Sequence, residues 1–169
     1  MPAPTATTPI DAVDDRDRRV GTVARGDALR TGSNFRTAHV FVLNSRSEIV
    51  LQRLASTRER HPGRWGSSVA AYLYAGESYE HAAARRLREE LGLGSPLREV
   101  GKLEMRDEGS LKFVTLFSAQ GEPEILEPDH ISALKSCPLA KVDDELRADP
   151  SHFTPTFVQL YLTFGSDIA

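Results

Sequence analysis

The sequence is nearly free of cysteine and has no long apolar run, and each shortage excludes a class of protein. Its single cysteine, Cys137, rules out an internal disulfide and is typical of a protein kept in the reducing cytoplasm. No apolar stretch approaches the roughly 18 residues that cross a bilayer, so we expect no membrane span. The N-terminus also lacks the charged start and apolar core of a signal peptide.

The charge balance has no strong sign either. The formal net charge is -3, so we expect neither nucleic acid nor an acidic membrane as a partner. A local basic cluster can still bind a small anionic substrate. A chain of 169 residues, with 40% hydrophobic and 27% charged residues, is typical of one soluble domain, either monomeric or homodimeric.

The order of predicted elements is that of an α+β domain. Residues 1–18 lack clear periodicity and predict a flexible arm, with a domain-edge strand from Ile10 to Val20 as the alternative; residues 19–169 predict a single domain. Helices are predicted over residues 140–148 and 157–164. Apolar, β-rich runs between turn residues predict strands over residues 37–43, 48–53, 65–72, 100–105, 111–119 and 131–137. Together they predict a mixed β-sheet sandwiched between helices (α/β/α).

The segment from Ala71 to Leu93 carries most of the chemical information. Ser78 predicts the start of a helix as its N-cap, and Gly92 predicts its end. Glu89 and Glu90 each follow an arginine by four residues, and the simplest interpretation is surface ion pairs of about 0.3–0.5 kcal/mol each. The chemical alternative is that carboxylates at one end of this helix hold hydrated magnesium, which bridges them to a diphosphate.

The spacing of this segment resembles the Nudix box: a glycine, five residues, a glutamate, seven residues, then Arg-Glu-aliphatic-x-Glu-Glu-x-Gly-aliphatic. The matching residues are Glu77, Arg85, Leu87, Glu89, Glu90, Gly92 and Leu93. The resemblance implies a Nudix fold and a hydrolase that acts on a diphosphate-containing small molecule with Mg²⁺. It implies Glu89 and Glu90 as catalytic residues and metal ligands. It also implies a structural role for Glu77, Arg85 and Gly92.

Two departures from the box pattern bear on that metal site. Ala71 stands where the box opens with glycine, and Arg86 stands where the box has a metal-binding glutamate. An arginine stays protonated, so it supplies neither a base nor an oxygen ligand. Because Mg²⁺ needs oxygen ligands, Arg86 predicts a metal site that is weakened or absent.

A broader resemblance, over roughly residues 29–165, is to the type I isopentenyl-diphosphate isomerases, Nudix-fold enzymes that carry an Arg-Arg pair in the box helix. The matching segments are residues 41–44, 51–53, 62–65, 76–78, 85–92 and 153–155. The resemblance implies that Arg53 and Arg86 hold the substrate diphosphate, and we expect Tyr72 to be a further substrate-binding residue. Arg58 and Arg60, on the intervening loop, are expected to assist, because a guanidinium binds phosphate oxygens in pairs.

The isomerase chemistry itself does not carry over. Ala70 stands in place of the acid–base cysteine, and loss of such a group typically costs roughly 10²–10⁴ in rate. The positions that match the isomerase metal ligands are Tyr72, Ala28, Phe35, Ser110 and Lys112. None of these side chains is a usual ligand for a divalent metal.

Other residues have simpler interpretations. Cys137 sits in an apolar run and is expected to be a core residue rather than a nucleophile. His39 alternates within a strand and is expected to be a packed or edge histidine rather than a metal ligand. Asp107 and Glu108 are expected to form a solvated turn, with a role as replacement metal ligands or base as the alternative.

Three functions therefore stay open. The first is a Nudix hydrolase. The second is an isomerase-like enzyme that rearranges or cyclises a prenyl diphosphate without the usual cysteine, and in that enzyme Tyr72, Tyr74 and Trp65 would line the pocket and stabilise a carbocation. The third is a non-catalytic module that binds a phosphorylated ligand.

Overall fold

The computed structural model describes residues 5–168, and its centre is a seven-stranded sheet. The strands are β1 (Pro9–Val13), β2 (Arg19–Ala24), β3 (Phe35–Leu43), β4 (Ile49–Leu54), β5 (Trp65–Gly66), β6 (Val69–Tyr72), β7 (Arg98–Asp107), β8 (Ser110–Gln120) and β9 (Ile131–Cys137). The helices are α1 (Tyr79–Leu91), α2 (Leu139–Ala148) and α3 (Pro155–Phe164). Within residues 5–168, no helix has the length and apolar content needed to traverse a bilayer.

The main sheet is mixed, as predicted. Its order is β5-β4-β3-β8-β7, with β6 paired to β3 and β9 paired to β4. Strands β3 and β8 run parallel, and the remaining pairs are antiparallel. The predicted antiparallel pairing of β3 with β4 and of β7 with β8 is confirmed.

Alternation along β3 divides the core between the two faces of the sheet. Ala38, Val40 and Val42 pack with the apolar side of α1. Phe41 and Leu43 point the other way and pack with residues of α2 and α3. Because side chains alternate along a strand, one apolar run serves both layers, and the predicted α/β/α arrangement is confirmed.

One predicted strand is interrupted. The run from Trp65 to Tyr72 forms two short strands, β5 and β6, separated by Ser67 and Ser68. The hydroxyl of Ser68 accepts a hydrogen bond from the backbone of Val42 at 2.8 Å and donates to the carbonyl of Val50. This side chain therefore bridges β3 and β4, which explains why the strand breaks there.

The flexible arm expected over residues 1–18 is wrong from Pro9 onward. Strand β1 pairs antiparallel with β2, and Ile10 and Val13 are buried. Ile10 packs against Ala28 and Phe35. Burial of these apolar side chains offsets the entropy of ordering the chain, so an edge strand forms, which was the sequence alternative. Residues 1–4 of the predicted arm lie outside the described residues.

Helix α1 begins and ends where the sequence predicts. The Ser78 hydroxyl accepts a hydrogen bond from the backbone N–H of His81 at 3.1 Å and so caps the first turn. Gly92 ends the helix in the left-handed region, with φ of 70°, which glycine adopts without strain. The buried stripe of the helix is Ala82, Ala83, Leu87 and Leu91.

Replacement of Leu87 by alanine tests the packing of α1 on the sheet. Leu87 is buried in the core, so we expect Leu87→Ala to lower the free energy of unfolding by about 2–5 kcal/mol. Leu162→Ala, at a side chain 70% exposed, is the matched control and is expected to change it by less than about 0.5 kcal/mol. Urea denaturation followed by circular dichroism measures both; equal losses would contradict this packing.

Candidate functional site

The loop before α1 is held by an ion pair between Glu77 and Arg85. The Arg85 guanidinium donates to both carboxylate oxygens of Glu77, at 2.8 and 2.9 Å, and lies 3.7 Å from the centre of the Tyr74 ring. Burial alone would raise the pKa of Glu77, but the bonds from Arg85 and from the backbone of Tyr74 lower it below its usual value. This geometry supports the predicted structural role of Glu77 and Arg85.

Arg86 lies at the centre of three carboxylates. Its Nη1 donates to Glu89 at 2.6 Å, and its Nη2 donates to Glu90 at 2.5 Å. Glu127 accepts from both nitrogens, at 3.3 and 2.7 Å. These four hydrogen bonds use the four N–H groups of the two terminal nitrogens, so binding a diphosphate through them requires that carboxylate bonds be released.

Sequence reasoning missed Glu127. It belongs to the loop between β8 and β9, whose backbone N–H at Leu126 bonds to the carbonyl of Glu90 at 2.8 Å. The loop therefore docks on the end of α1 and delivers a third carboxylate to Arg86. No spacing or motif in the sequence connects a residue 37 positions downstream with Glu90, so only the tertiary fold reveals it.

Arg86 keeps its charge although the cluster is largely buried. Arg86 is 2% exposed and Glu90 is 4% exposed, and Gln52 donates to the second oxygen of Glu90 at 3.3 Å. Burial alone would lower the pKa of the Arg86 guanidinium, but its carboxylate partners raise it well above its usual value. Arg86 is therefore a permanent positive charge among the glutamates.

These residues do not fit Mg²⁺ in the arrangement described. The predicted metal ligands Glu89 and Glu90 accept hydrogen bonds from Arg86 instead. Among residues 5–168, no group of three histidine, cysteine, aspartate or glutamate side chains is placed to hold a metal ion. The guanidinium of Arg86, which was expected to weaken the metal site, lies between the carboxylates that were expected to hold the metal.

The structure does not bring Arg53 to this cluster. Along β4 the side chain of Gln52 reaches Glu90, so Arg53, the next residue, points to the opposite face of the sheet. There Arg53 is exposed and lines an open groove of about 710 Å³ with Trp65, Lys135 and Phe153. Its expected place beside Arg86 is therefore wrong, because strand residues alternate in direction.

Arg58, by contrast, lies near the cluster, together with an arginine that sequence reasoning missed. Arg25, just after β2, stands 5.3 Å from the centre of the Tyr72 ring. Burial lowers the pKa of Arg58; the attraction of Glu90 opposes this, while Arg25 and Arg86 lower it further. Neither Arg58 nor Arg25 forms an ion pair with a carboxylate of residues 5–168.

Three of the positions matched to the isomerase metal ligands pack together as apolar side chains. Ala28, Phe35 and Tyr72 form one cluster, and the Phe35 and Tyr72 rings stack with centroids 5.6 Å apart. The Ser110 hydroxyl lies 3.5 Å from the carbonyl of Ala28. A small hydrophobic cluster therefore occupies this place in the fold.

Lys112, the last of these matched positions, belongs to a buried ion-pair network. Its Nζ donates to Asp107 at 3.0 Å and to Thr156 at 2.6 Å. Arg60 donates to the two oxygens of Asp107 at 3.0 and 2.5 Å. Asp107 is thus a buried counter-charge, and the expected solvated turn is wrong for it, whereas Glu108 is exposed. Arg60 already has a carboxylate partner.

The remaining candidates are structural. Cys137 is buried opposite Ile49, as expected of a core residue. His39 is also buried, with Nδ1 2.7 Å from the hydroxyl of Ser67, and burial lowers its pKa to about 3, so it is neutral. Of the three aromatic residues proposed for a substrate pocket, Tyr74 lies under Arg85, Trp65 faces the opposite groove, and Tyr72 alone adjoins Arg58 and Arg25.

Comparison with known proteins places this fold and site in a family. The model of the NUDIX domain matches residues 33–157, and the chain therefore belongs to the Nudix family. Within that family it lies near the isopentenyl-diphosphate isomerase branch. An isopentenyl-diphosphate delta-isomerase of Nocardia farcinica is 29% identical over 161 residues, covering 90% of this chain and 91% of that protein.

Two further relatives support the assignment. A Pseudomonas aeruginosa protein described as uncharacterized Nudix hydrolase PA4841 is 33% identical over 122 residues, covering 71% of this chain and 72% of that one. The crystal structure of DR0079 from Deinococcus radiodurans superposes with a TM-score of 0.70 at 25% identity, covering 83% and 90% of the two chains. The α+β Nudix fold is thus shown by sequence and by structure.

Removal of Arg86 should make stability depend on pH in a defined direction. Burial raises the pKa of the Glu90 carboxyl, and Arg86→Ala removes the charge that opposes this rise. A carboxyl whose pKa is higher in the folded than in the unfolded state stabilises the fold at low pH and loses that contribution as pH rises. We therefore expect Arg86→Ala to lose more free energy of unfolding at pH 8 than at pH 5, measured by urea denaturation.

The exposed Arg88 supplies the control for this measurement. Arg88→Ala removes the same charge from the same helix, and we expect a small loss that is equal at the two pH values. A loss in Arg86→Ala that does not change with pH would contradict the role of Arg86 as the counter-charge of Glu90.

Proposed function

We propose that this Nudix-family protein is an enzyme acting on a diphosphate-containing small molecule, bound beside Tyr72 between the box helix and the N-terminal hairpin. One observation carries the proposal: Arg25 lies over the Tyr72 ring, at 5.3 Å from its centre, and neither Arg25 nor Arg58, which interacts electrostatically with both residues, has a carboxylate partner among residues 5–168. The other arginines near the box are already paired, Arg85 with Glu77 and Arg86 with Glu90.

Two uncompensated guanidinium groups favour an anionic ligand. Arg25 lowers the pKa of Arg58, which means that the two positive charges repel each other. The Nε of Arg25 donates to the carbonyl of Thr5 at 3.0 Å, and its terminal nitrogens form no ion pair with the described residues. A bound anion near both guanidinium groups would relieve the repulsion and accept hydrogen bonds from them. Two linked phosphates carry several negative oxygens, and each guanidinium can bind a pair of them.

The surface at Tyr72 is suited to an organic group attached to the phosphates. Tyr72 presents an aromatic ring backed by Phe35, and Ala70, two residues earlier on β6, is exposed. The side chain of Ala70 is a methyl group, and it leaves more room than the acid–base cysteine that the isomerases have at this position. The site therefore combines a basic end with an apolar surface, as binding sites for small molecules commonly do.

Hydrolysis of the diphosphate linkage is the reaction we assign first. Water attacks one phosphorus atom, and the bond from that phosphorus to the bridging oxygen breaks. Glu89 and Glu90 are the carboxylates nearest this end of the helix, and either can take the proton from water once its bond to Arg86 is released. The named Nudix hydrolase among the relatives supports this choice.

Binding without catalysis is the second candidate, and one observation favours it. Both proposed catalytic carboxylates are occupied by Arg86, so neither is poised as a base while those bonds persist. Rearrangement of a prenyl diphosphate has less support, because Ala70 carries no acid–base group and three of the matched metal positions, Ala28, Phe35 and Tyr72, pack as a hydrophobic cluster. Product analysis with isopentenyl diphosphate distinguishes these outcomes: free phosphate marks hydrolysis, and an altered prenyl skeleton marks rearrangement.

Substitution of Arg58 tests the binding site. We expect Arg58→Ala to weaken the binding of inorganic pyrophosphate about tenfold or more, since a charge-assisted pair of hydrogen bonds is lost. Isothermal titration calorimetry measures the dissociation constant. Two controls remove the same charge elsewhere: Arg88→Ala on the exposed side of α1, and Arg53→Ala in the opposite groove. If Arg53→Ala weakened binding as much as Arg58→Ala, the ligand would lie on the other face of the sheet.

Substitution of Glu90 tests catalysis. We expect wild-type protein to release phosphate from at least one nucleoside or prenyl diphosphate in a substrate screen. We expect Glu90→Gln to slow that release by roughly 10²–10⁴, the usual effect of losing a general base. Glu48→Gln, in the turn before β4, is the control and should keep full activity. Equal rates in wild type and Glu90→Gln would remove the box from the mechanism.

A further inference from the structure

We propose that Arg86 is the resident cation of this Nudix site, so that the acidic box holds a guanidinium in place of a divalent metal ion. The inference starts from the four hydrogen bonds that link Arg86 with Glu89, Glu90 and Glu127.

The geometry of the cluster is that of a bound cation with a shell of oxygens. The three carboxylates come from two separate parts of the chain, and all lie within 2.7 Å of a terminal nitrogen of Arg86. Arg86 follows the helix rule for neighbours on one face, with Glu89 three residues and Glu90 four residues later. The spacing that places Glu89 and Glu90 together as possible metal ligands also places both carboxylates beside the guanidinium of Arg86.

Arg86 competes with a metal ion for the same atoms. Mg²⁺ and Mn²⁺ bind carboxylate oxygens directly, and those oxygens in this cluster already accept N–H bonds. A guanidinium does not lose its proton at accessible pH, so Arg86 cannot become neutral and make room for the charge of a metal ion. A divalent ion placed among the three glutamates would also stand next to a fixed positive charge, which repels it at short range.

The charge count leads to the same conclusion. The three glutamates need positive partners in a largely buried place. Arg86 supplies one positive charge by direct contact with all three. Arg85 adds to it, with its Nη1 3.7 Å from a carboxylate oxygen of Glu89, and Arg58 interacts electrostatically with Glu90. Arginine side chains therefore supply the positive charge that a metal ion would otherwise bring.

One functional consequence rests on the proposed function. A diphosphate bound by Arg58 and Arg25 would need no bridging metal, because the positive charge at the site is already part of the protein. Binding of inorganic pyrophosphate should then persist when divalent ions are removed by EDTA. This consequence and the exclusion of metal from the box are measured separately, so one can fail without the other.

The direct test restores the acidic residue that the Nudix box has at this position. In Arg86→Glu, a fourth carboxylate replaces the guanidinium, and we expect about one Mn²⁺ to bind per chain. We expect no saturable Mn²⁺ binding to the wild-type protein in the same concentration range. Electron paramagnetic resonance of free Mn²⁺ measures both. The matched control is Arg88→Glu, which makes the same charge change on the exposed side of α1 and should bind no Mn²⁺.

A second variant covers the case in which Arg86→Glu fails to fold. Arg86→Gln removes the positive charge without adding a fourth carboxylate, so the cluster of three glutamates is left for a metal. We expect Mn²⁺ to bind Arg86→Gln at least about tenfold more tightly than wild type and to raise its Tm, as a ligand of the folded state does. If a folded Arg86 variant binds Mn²⁺ no better than wild type, Arg86 is not what excludes the metal, and the proposal fails.

Two further results would decide the matter. Saturable Mn²⁺ binding by wild type that is lost in Glu90→Gln would overturn the proposal, because the metal would then share the site with Arg86. In the ligand experiment, wild-type protein should bind pyrophosphate in EDTA, and binding that requires added Mg²⁺ would overturn metal independence. If pyrophosphate binds under neither condition, the proposed function fails, while the Mn²⁺ titrations still decide the identity of the resident cation.

Discussion

The contact between Arg86 and its three carboxylates is the interaction on which the rest of the site depends. It joins α1 to the loop before β9 through Glu127, and Gln52 links Glu90 to β4. Three elements distant in sequence therefore meet at one buried charge. Breaking a buried pair leaves an uncompensated charge and typically costs about 3–5 kcal/mol, so the cluster constrains both the fold and the chemistry.

Charge compensation separates structural arginines from candidate ligand-binding arginines. Arg85, Arg86 and Arg60 each have a carboxylate within hydrogen-bond distance, and their charges are used to hold loops and helix together. Arg58 and Arg25 have no such partner within residues 5–168, and Arg25 lies over the Tyr72 ring. The proposal therefore assigns the phosphate to these two arginines near the box, whose charge no carboxylate of the described residues neutralises.

Much of the fold could be predicted because its signals are local. The caps of α1 at Ser78 and Gly92 and the bounds of β9 follow from turn chemistry and apolar patterns over a few residues. The assignment of Arg53 failed because a motif match does not say which face of a strand a side chain takes. The sequence offered a strand near β1 only as the alternative to a flexible arm, because the burial of β1 depends on Phe35, which lies outside that segment.

The sequence alone determined the family, the box helix and the replacement of a metal-binding glutamate by Arg86, since these depend on residue identity and spacing. The tertiary structure alone decided what Arg86 contacts, that Glu127 completes its shell, and that Arg25 rather than Arg53 accompanies Arg58. The physical reason is that charge compensation acts through space. It depends on which groups share a buried volume, and residues far apart in sequence meet there only when the chain has folded.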